Sequence, residues 1–370
     1  MLAITFKNVG HGDTIILEWK NDKGENEVGI IDCHLINGQS NLVIEHIRTY
    51  RYKKIKFLIL THPHTNHFSG FPSLLEFCKK RKINIEMFLH TVVYHREFLI
   101  ELHNERVNLN EFFDSFVNRI RDRKILKRLF REIHLLSGTS ILRKVGAIND
   151  SFFLRLKKKL WLECLSPSYD ELAQYYQIVF SLNSKRELEI RKKENSPDAN
   201  LLSAIIKIST DDWDVLLFSD AKKSSVKRIM NDYQKNNKRL IAMQIPGHGS
   251  IHSHFEPSWR NIPGKENIPV FVSVGPKYGD PSKKVIQFYA ENFREVHSTN
   301  CVGGFREYFE EMQNLKGNPE KKIEAIKSLY YKFQRGHIEQ DLSSLNCGEK
   351  RIELDKNGIH TISTFPKFTN

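Results

Sequence analysis

Short apolar runs separated by turn residues dominate the first 90 positions of the chain. Runs of about four to eight β-prone residues are typical of strands, whereas apolar residues at helical spacing are typical of amphipathic helices. The pattern predicts a hairpin over 2–19, a strand at 28–33, a helix at 41–50, a strand at 55–60, a helix at 71–82 and a strand at 83–89. Strands that alternate with helices in this way favour a mixed α/β fold.

The rest of the chain continues the alternation. It predicts two strands within 145–165 around the Lys157–Lys159 turn, a helix at 169–193, strands at 200–208 and 213–221, a helix at 224–233, strands at 240–245 and 269–274, a helix ending near 292, a strand ending at 299 and a hairpin over 350–363. Helical patterns also cover 96–136, which is strongly basic, and 305–346. Since no repeat or linker interrupts the chain, we expect one domain over 1–304 with a basic helical insertion at about 96–136. A helical extension and terminal hairpin over 305–370 would complete the same domain.

Three histidines, His62, His64 and His67, directly follow the predicted strand at 55–60. A tight turn after a buried strand can point several imidazoles at one place, and imidazole is the commonest metal ligand. Three unrelated surface histidines are the alternative, but so dense a cluster in this position favours a metal site.

The turn resembles the His-x-His-x-Asp-His signature of the metallo-β-lactamase superfamily, with Asn66 in place of the Asp. The Val9-Gly10-x-Gly12-Asp13 turn resembles, more narrowly, the hydrolase domain of ComEC-type DNA-uptake proteins. Four later segments are similar to downstream motifs of that domain and occur in the same order: Asn200-x-x-Ser203, Leu217-Phe218-Ser219-Asp220-Ala221, Pro246-Gly247-His248-Gly249-Ser250 and Ser273-Val274-Gly275 to Pro281-Ser282. The resemblance covers roughly residues 2–304.

The resemblance implies a four-layer αββα sandwich in which two mixed sheets pack face to face with helices outside. It also implies a centre for one or two divalent ions, zinc or manganese, at one edge of the sheets. His62 and His64 would bind the first ion, His67 and His248 the second, and Asp220 would bridge them. Asp220 and Asn66 would be the catalytic positions. The substrate-binding positions would be Asn200, Ser250 and Lys277.

The chain departs from the family pattern at several of these positions. Asn66 keeps the shape of the family's Asp but loses its negative charge and its capacity to accept a proton. Asn200 stands where the wider superfamily has a third histidine for the first ion, and Asp280 stands where many members have His. Four or five protein ligands remain, which favours one ion over two. Asp13 could lie near this site or cap its own turn, and capping is favoured.

His252 and His254 lie just after the His248 turn and could supply further ligands, but solvent-facing loop positions are favoured for both.

The chain is strongly basic, with 57 Lys and Arg against 44 Asp and Glu and a net charge of +13. This charge favours an anionic partner, nucleic acid or another phosphodiester, although it could serve solubility alone. Five scattered cysteines exclude a disulfide framework. No signal peptide and no apolar run long enough to cross a bilayer are present, so we expect a cytoplasmic protein without a membrane partner.

Three functions are consistent with these features. The first is a metal-dependent phosphodiesterase, a nuclease in which metal-bound hydroxide attacks phosphorus. The second is a catalytically degenerate binding or regulatory subunit with protein partners in a multi-component system, which Asn66 favours. The third is hydrolysis of a small ester, lactam or thioester, because one fold supports many chemistries. The positive charge favours the first over the third.

Overall fold

The computed structural model describes residues 1–91, 123–181, 198–234, 238–275, 279–300, 302–304 and 348–366. Their strands form two sheets, one of eight and one of seven strands, accompanied by several helices. The predicted mixed α/β class is therefore confirmed. By contact the chain divides into two compact units. Unit 1 comprises Met1–Asn26, Phe153–Glu163 and Ile205–Asn370, and unit 2 comprises Glu27–Phe152 and Cys164–Ala204.

The strands are numbered β1 to β15 in chain order. They are β1 (Leu2–Phe6), β2 (Ile15–Lys20), β3 (Asn26–Ile31), β4 (Lys54–Leu60), β5 (Asn84–His90), β6 (Leu142–Ala147), β7 (Phe153–Lys157), β8 (Leu160–Ser166), β9 (Ile205–Ser209), β10 (Trp213–Leu217), β11 (Arg239–Gln244), β12 (Pro269–Val272), β13 (Glu295–Ser298), β14 (Gly348–Asp355) and β15 (Gly358–Pro366). The described helices are α1 (Leu42–Thr49), α2 (Thr65–Phe68), α3 (Phe71–Arg81), α4 (Arg123–Leu136), α5 (Tyr169–Ser181), α6 (Lys223–Tyr233), α7 (Glu256–Arg260) and α8 (Lys283–Asn292).

In unit 1, four strands of the eight-stranded sheet run in the order β15-β14-β1-β2, with β1 antiparallel to both β14 and β2. The seven-stranded sheet has the order β13-β12-β11-β10-β9-β8-β7. Its strands β10, β11, β12 and β13 are parallel neighbours. Their carboxyl ends therefore meet at one edge of the sheet, and the loops that begin at Phe218, Ile245 and Ser273 all leave from that edge.

In unit 2, strands β3, β4, β5 and β6 are parallel neighbours in that order. The core of β4 is an unbroken run from Phe57 to Leu60 with no side-chain exposure, as expected for a parallel strand covered on both faces. Asp32 follows β3 and Thr61 follows β4, so both side chains start at the same edge of the sheet. That edge carries the histidine turn.

Most predicted elements are found, including the final hairpin, but two predictions were wrong in detail. Residues Ala199–Leu202 form a 3₁₀ helix instead of the start of a strand, because the Asp198 side chain accepts a hydrogen bond from the Asn200 backbone N–H and turns the chain. A separate strand, β6, also precedes the pair predicted within 145–165. The helical prediction at 96–136 is confirmed for α4; 92–122, 182–197 and 305–347 lie outside the described residues. The predicted domain bounds stay a prediction.

Within the described ranges, no helix is both long enough and apolar enough to cross a bilayer.

Candidate metal centre

The histidine turn of unit 2 is fixed by its own backbone. His64 N–H donates to the His62 carbonyl at 3.0 Å, and His67 N–H donates to the His64 carbonyl at 2.9 Å, which starts the short helix α2. The three imidazoles consequently gather on one side of the turn. The ring centroids of His62 and His64 lie 4.7 Å apart, and those of His62 and His67 lie 4.1 Å apart.

The nitrogens of this cluster face one another. Nε2 of His62 lies 3.0 Å from Nδ1 of His64, and ring nitrogens of His62 and His67 lie within 4.8 Å. Two imidazole nitrogens bound to one tetrahedral zinc ion are ~3.3 Å apart, given Zn–N distances of about 2.0–2.1 Å. His62 and His67 are fully buried, and His64 is half-buried. The turn therefore presents a nitrogen-rich donor set that fits a divalent transition metal.

Asp32 orients His67. Its Oδ2 lies 2.7 Å from Nδ1 of His67 and accepts a 2.6 Å hydrogen bond from the Thr61 hydroxyl, while its Oδ1 accepts from Thr61 N–H at 2.8 Å. A carboxylate can only accept, so Nδ1 of His67 carries the proton and Nε2 keeps its lone pair. Carboxylates in this position commonly fix the tautomer of metal-binding histidines. Asp32 was not among the predicted site residues, although an acid at the end of the strand that precedes the histidine strand was a usable signal.

Two asparagines of unit 2 occupy predicted site positions. Asn66 lies in α2, between His64 and His67, and is half-buried. Asn200 lies in the 3₁₀ helix, and its Oδ1 is buried and accepts no hydrogen bond from the described residues. The segment containing Asn200 reaches the histidine turn through the Ala204 N–H, which donates to the Thr61 carbonyl at 3.0 Å. Asn200 is thus a neutral acceptor where the superfamily resemblance implies an imidazole.

Unit 1 supplies a second cluster, built on Asp220 and His248. The loops after β10 and β11 are joined by Gly247 N–H, which donates to the Ser219 carbonyl at 2.8 Å. His248 Nδ1 donates to the Ser273 carbonyl at 2.8 Å, and its Nε2 lies 3.3 Å from Oδ1 of Asp220. Both side chains are buried, with His248 4% and Asp220 7% exposed. The tautomer of His248 leaves Nε2 available as a metal ligand beside a carboxylate.

Asp13 is connected to this cluster by hydrogen bonds through Gln244, so the expectation that it caps its own turn was wrong. Its Oδ2 accepts a 2.8 Å hydrogen bond from Nε2 of Gln244, and the Oε1 of Gln244 accepts from Ser219 N–H at 3.0 Å. Asp13 is only 1% exposed. The connection reaches Asp220 through the adjacent Ser219, which lies at a φ of 47°. The Gly-x-Gly-Asp turn was the sequence signal for this role.

The same turn places a second histidine, His11, beside His248. The ring centroids of His11 and His248 lie 4.5 Å apart. The His11 backbone is close-packed against Gly275, where an added Cβ would lie 2.0 Å from the His11 nitrogen. Only a residue without a side chain fits there, which explains the glycine that follows the Ser273-Val274 pair.

The remaining positions considered from the sequence are Ser250, Lys277 and two histidines, His252 and His254. Ser250 ends the His248 turn, and its N–H donates to the Gly247 carbonyl at 2.8 Å; its role in substrate binding stays a prediction. Lys277 lies outside the described residues. His252, expected to face solvent, is exposed. His254 was expected to do the same but is buried against Phe288 and Tyr289, with ring centroids 4.9 and 5.5 Å away.

No family model matches the sequence, and no curated protein matches it. Solved structures similar to this one include the metallo-beta-lactamase fold protein YhfI from Bacillus subtilis, with 10% identity, 80% of this chain and 96% of that chain covered and a TM-score of 0.42. Tm1679, a metal-dependent hydrolase of the beta-lactamase superfamily, has 9% identity over 82% of this chain and 97% of that chain, with a TM-score of 0.42. Zn²⁺-bound PqqB from Methylobacterium extorquens has 7% identity over 66% and 72% of the two chains and a TM-score of 0.34. The likeness is one of fold.

Proposed function

We propose that the protein is a metal-dependent hydrolase of phosphodiester bonds, of the nuclease class. The observation that carries the proposal is the buried histidine turn, in which Nε2 of His62 and Nδ1 of His64 face each other at 3.0 Å while Asp32 orients His67. Within unit 1, Asp220 and His248 are the proposed carboxylate and imidazole ligands. The ligand set is nitrogen-rich and contains a carboxylate, which suits zinc or manganese, as one or two ions.

Each protein group has a definite task in this proposal. A bound divalent metal supplies Lewis acidity at such a site. Asp32 and the Ser273 carbonyl hold the protons on Nδ1 of His67 and His248, so that Nε2 of each ring would keep its lone pair for a metal ion. Asn66 can donate or accept a hydrogen bond at the reacting group but cannot take up its proton. The chain is therefore expected to bind its substrate better than it turns it over.

The proposed substrate is nucleic acid or another phosphodiester. A net charge of +13 favours a polyanion, and Lys or Arg contacts to phosphates supply affinity without reading sequence. The ordered motifs that resemble ComEC-type hydrolase domains support the same substrate class. Asn200, Ser250 and Lys277 are the proposed substrate-binding residues, and the cytoplasm is the proposed location.

The first test is metal stoichiometry, measured by elemental analysis of protein purified without a polyhistidine tag. The wild-type chain should retain one or two equivalents of zinc or manganese, and the His62→Ala/His64→Ala double variant should lose them. His252→Ala is the matched control, because His252 is an exposed histidine outside the cluster. Absence of bound metal in the wild-type chain, even after soaking with zinc and manganese, would rule the proposal out.

The second test is cleavage of single-stranded DNA, double-stranded DNA, RNA and cyclic dinucleotides by the metal-loaded chain. We expect cleavage of at least one polyanion, weakening steeply as salt is raised, and its loss in His64→Ala. Cleavage that survives in His64→Ala would show that the activity belongs to another site or to a contaminant.

A second candidate is a non-catalytic binding or regulatory subunit that acts with protein partners. Asn66 favours it, because an amide replaces the proton-accepting carboxylate of the family signature. This candidate predicts metal and nucleic-acid binding without turnover in the native chain, and turnover in Asn66→Asp. Robust turnover by the native chain would exclude it.

A further inference from the structure

The outward face of strands β7 and β8 in unit 1 carries side chains that ordinarily lie in a core. Buried and half-buried residues alternate along β8, and β7 places Phe153 and Arg155 on its exposed side. Phe153 is 59% exposed, although phenylalanine is among the residues most often buried. β7 also ends the order of the seven-stranded sheet, so among the described strands only β8 pairs with it. This face is therefore open to a partner.

The register of the two strands brings three of these side chains together. Arg155 lies directly opposite Trp161 and Phe153 lies opposite Glu163, so Phe153 and Trp161 are diagonal neighbours on one face. Their ring centroids are 6.4 Å apart, with the ring planes inclined by 34°. We call Phe153, Arg155 and Trp161 the aromatic face.

The Trp161 ring is fixed in its position by polar contacts. Its Nε1 donates to Oε1 of Glu163 at 2.6 Å, and Nζ of Lys238 lies 4.6 Å from its ring centroid. The same Nζ donates to the Thr210 carbonyl at 2.8 Å, which holds the ammonium group over the indole. Trp161 is half-buried as a result, and Phe153 is the ring that this arrangement presents to solvent.

The unpaired charges around the aromatic face are positive. Two acids near it are held in ion pairs at 2.7 Å, Glu163 with Lys207 and Asp211 with Lys159. Arg155 and Lys238, in contrast, have no acidic partner in the part of the chain that the structure describes. An exposed ring between two such cations complements a ligand that combines flat π-systems with negative charge.

We infer that the aromatic face binds single-stranded nucleic acid, with a base stacked on Phe153 and phosphates beside Arg155 and Lys238. Bases of a single strand can stack on a protein ring whatever their sequence, whereas the bases of a duplex already stack on one another. The inference rests on nucleic acid being the proposed substrate, and it names the form of that substrate and a contact that needs no metal.

This contact is separate from the Asp220–His248 cluster of the same unit. Lys238 directly precedes β11, so the aromatic face lies towards the amino edge of the parallel strands. Asp220 and His248 follow β10 and β11 at the carboxyl edge. Variants of the aromatic face therefore leave the proposed metal ligands unchanged.

The test measures the fluorescence anisotropy of a labelled oligothymidylate of about 20 nucleotides, titrated with the full chain in the presence of a chelator. Phe153→Ala should raise the dissociation constant about 5- to 150-fold, the range expected for the loss of one base–ring stack. Phe153→Tyr keeps the ring and should bind as the wild type does, whereas Phe153→Leu should bind as weakly as Phe153→Ala. Tyr169→Ala, which removes a 68% exposed aromatic residue outside the aromatic face, is the matched control.

Arg155→Gln should weaken binding of the same oligonucleotide and reduce its salt dependence by about one phosphate contact. A duplex of equal length should bind the wild type and Phe153→Ala equally. Equal affinity of these two chains for the oligothymidylate would overturn the inference. If light scattering then showed that Phe153→Ala dissociates a dimer, the face would be assigned to a contact between two copies of the chain.

Because the measurement is made without metal, this inference and the proposed hydrolase can fail separately. Binding that depends on Phe153 in a chain that retains no zinc or manganese would support the inference and rule out the hydrolase. Cleavage by the metal-loaded chain, with oligothymidylate affinity unchanged in Phe153→Ala, would support the hydrolase and overturn the inference.

Discussion

Nδ1 of His67 lies 2.7 Å from Oδ2 of Asp32, and neither side chain is exposed to solvent. Asp32 directly follows β3, and His67 lies in α2, just after the neighbouring parallel strand β4. A buried carboxylate in this position accepts a hydrogen bond from the protonated ring nitrogen and so keeps the lone pair on the other ring nitrogen, where it can bind a metal ion. The pair therefore links the end of a buried strand of unit 2 to the orientation of an imidazole in the histidine turn.

Asp32→Asn should weaken metal binding about 10- to 100-fold while leaving the shape of the site intact. The amide nitrogen introduced by this substitution would donate to His67, moving the ring proton to the nitrogen that coordinates. Equilibrium dialysis with zinc measures the loss. Asp150→Asn, an exposed acid of the same unit, is the control. Unchanged affinity in Asp32→Asn would mean that His67 is not a ligand.

Asn66→Asp should tighten metal binding and raise the rate of phosphodiester cleavage. The change restores one negative charge and a proton acceptor between His64 and His67. Asn66→Ala serves as the comparison, because it removes the amide without adding charge and should improve neither quantity. The prediction is wrong if Asn66→Asp and Asn66→Ala bind metal equally well.

Gly275→Ala should destabilise the protein and disturb the position of His11. The new Cβ would lie 2.0 Å from the His11 nitrogen and 2.4 Å from the Gly10 carbonyl carbon, and backbone atoms cannot swing aside. Overpacking of this kind costs about 1–3 kcal/mol of the free energy of unfolding, which urea denaturation measures.

Gly146→Ala is the control for that substitution. Its Cβ would meet a side-chain carbon of Leu89 at an ordinary 3.5 Å, so its midpoint should stay near the wild-type value. A Gly275→Ala variant with wild-type stability and unchanged metal affinity would contradict the prediction. It would show that the loop around His11 can shift to accommodate the added Cβ.

Lowering the pH should reduce the free energy of unfolding, in part because His90 is buried. Burial lowers the pKa of this fully buried histidine from 6.5 to about 4. The unfolded chain takes up the proton near pH 6.5 and the folded chain only near pH 4, so stability falls as the pH drops through that window. By pH 5 the loss is about 2 kcal/mol of the free energy of unfolding.

His90→Phe should therefore flatten the fall in stability between pH 7 and pH 5, measured by urea denaturation in the presence of a chelator. The substitution suits its surroundings, since His90 already packs edge-on against Phe130 and its Nδ1 has no hydrogen-bond partner among the described residues. His252→Gln alters an exposed imidazole and should keep the wild-type pH dependence. A His90→Phe variant whose stability falls between pH 7 and pH 5 as much as that of the wild type would contradict the attribution of this fall to His90.

The sequence predicted the parts of the site that depend on neighbouring residues. The apolar run of β4 followed at once by three histidines is a local signal, and the structure keeps those residues together because the strand end and the turn are continuous. It could not predict the link from Asp32 to His67, which joins residues 35 positions apart through the pairing of β3 and β4. Register between strands is set by the whole core and not by a local pattern.

The burial of His254 was missed for a related reason. Its neighbours in sequence are Ser253 and Phe255, and nothing local distinguishes it from the exposed His252. Contacts with Phe288 and Tyr289 of α8 remove it from solvent, and burial lowers its pKa to about 4. A helix about thirty residues away in the chain thus determines the environment of one loop residue. A prediction from local propensity does not include such distant contacts.

The main chain of the histidine turn closes through its own hydrogen bonds, and Cys33 N–H adds one more to the His67 carbonyl at 2.8 Å. None of these bonds uses the imidazoles of His62 or His64. The backbone conformation of the turn consequently does not depend on these two side chains, and their donor atoms can be exchanged without changing it. Mutation or design could place thiolates or carboxylates at positions 62 and 64 and so change the preferred metal. The backbone hydrogen bonds would still stabilise the loop.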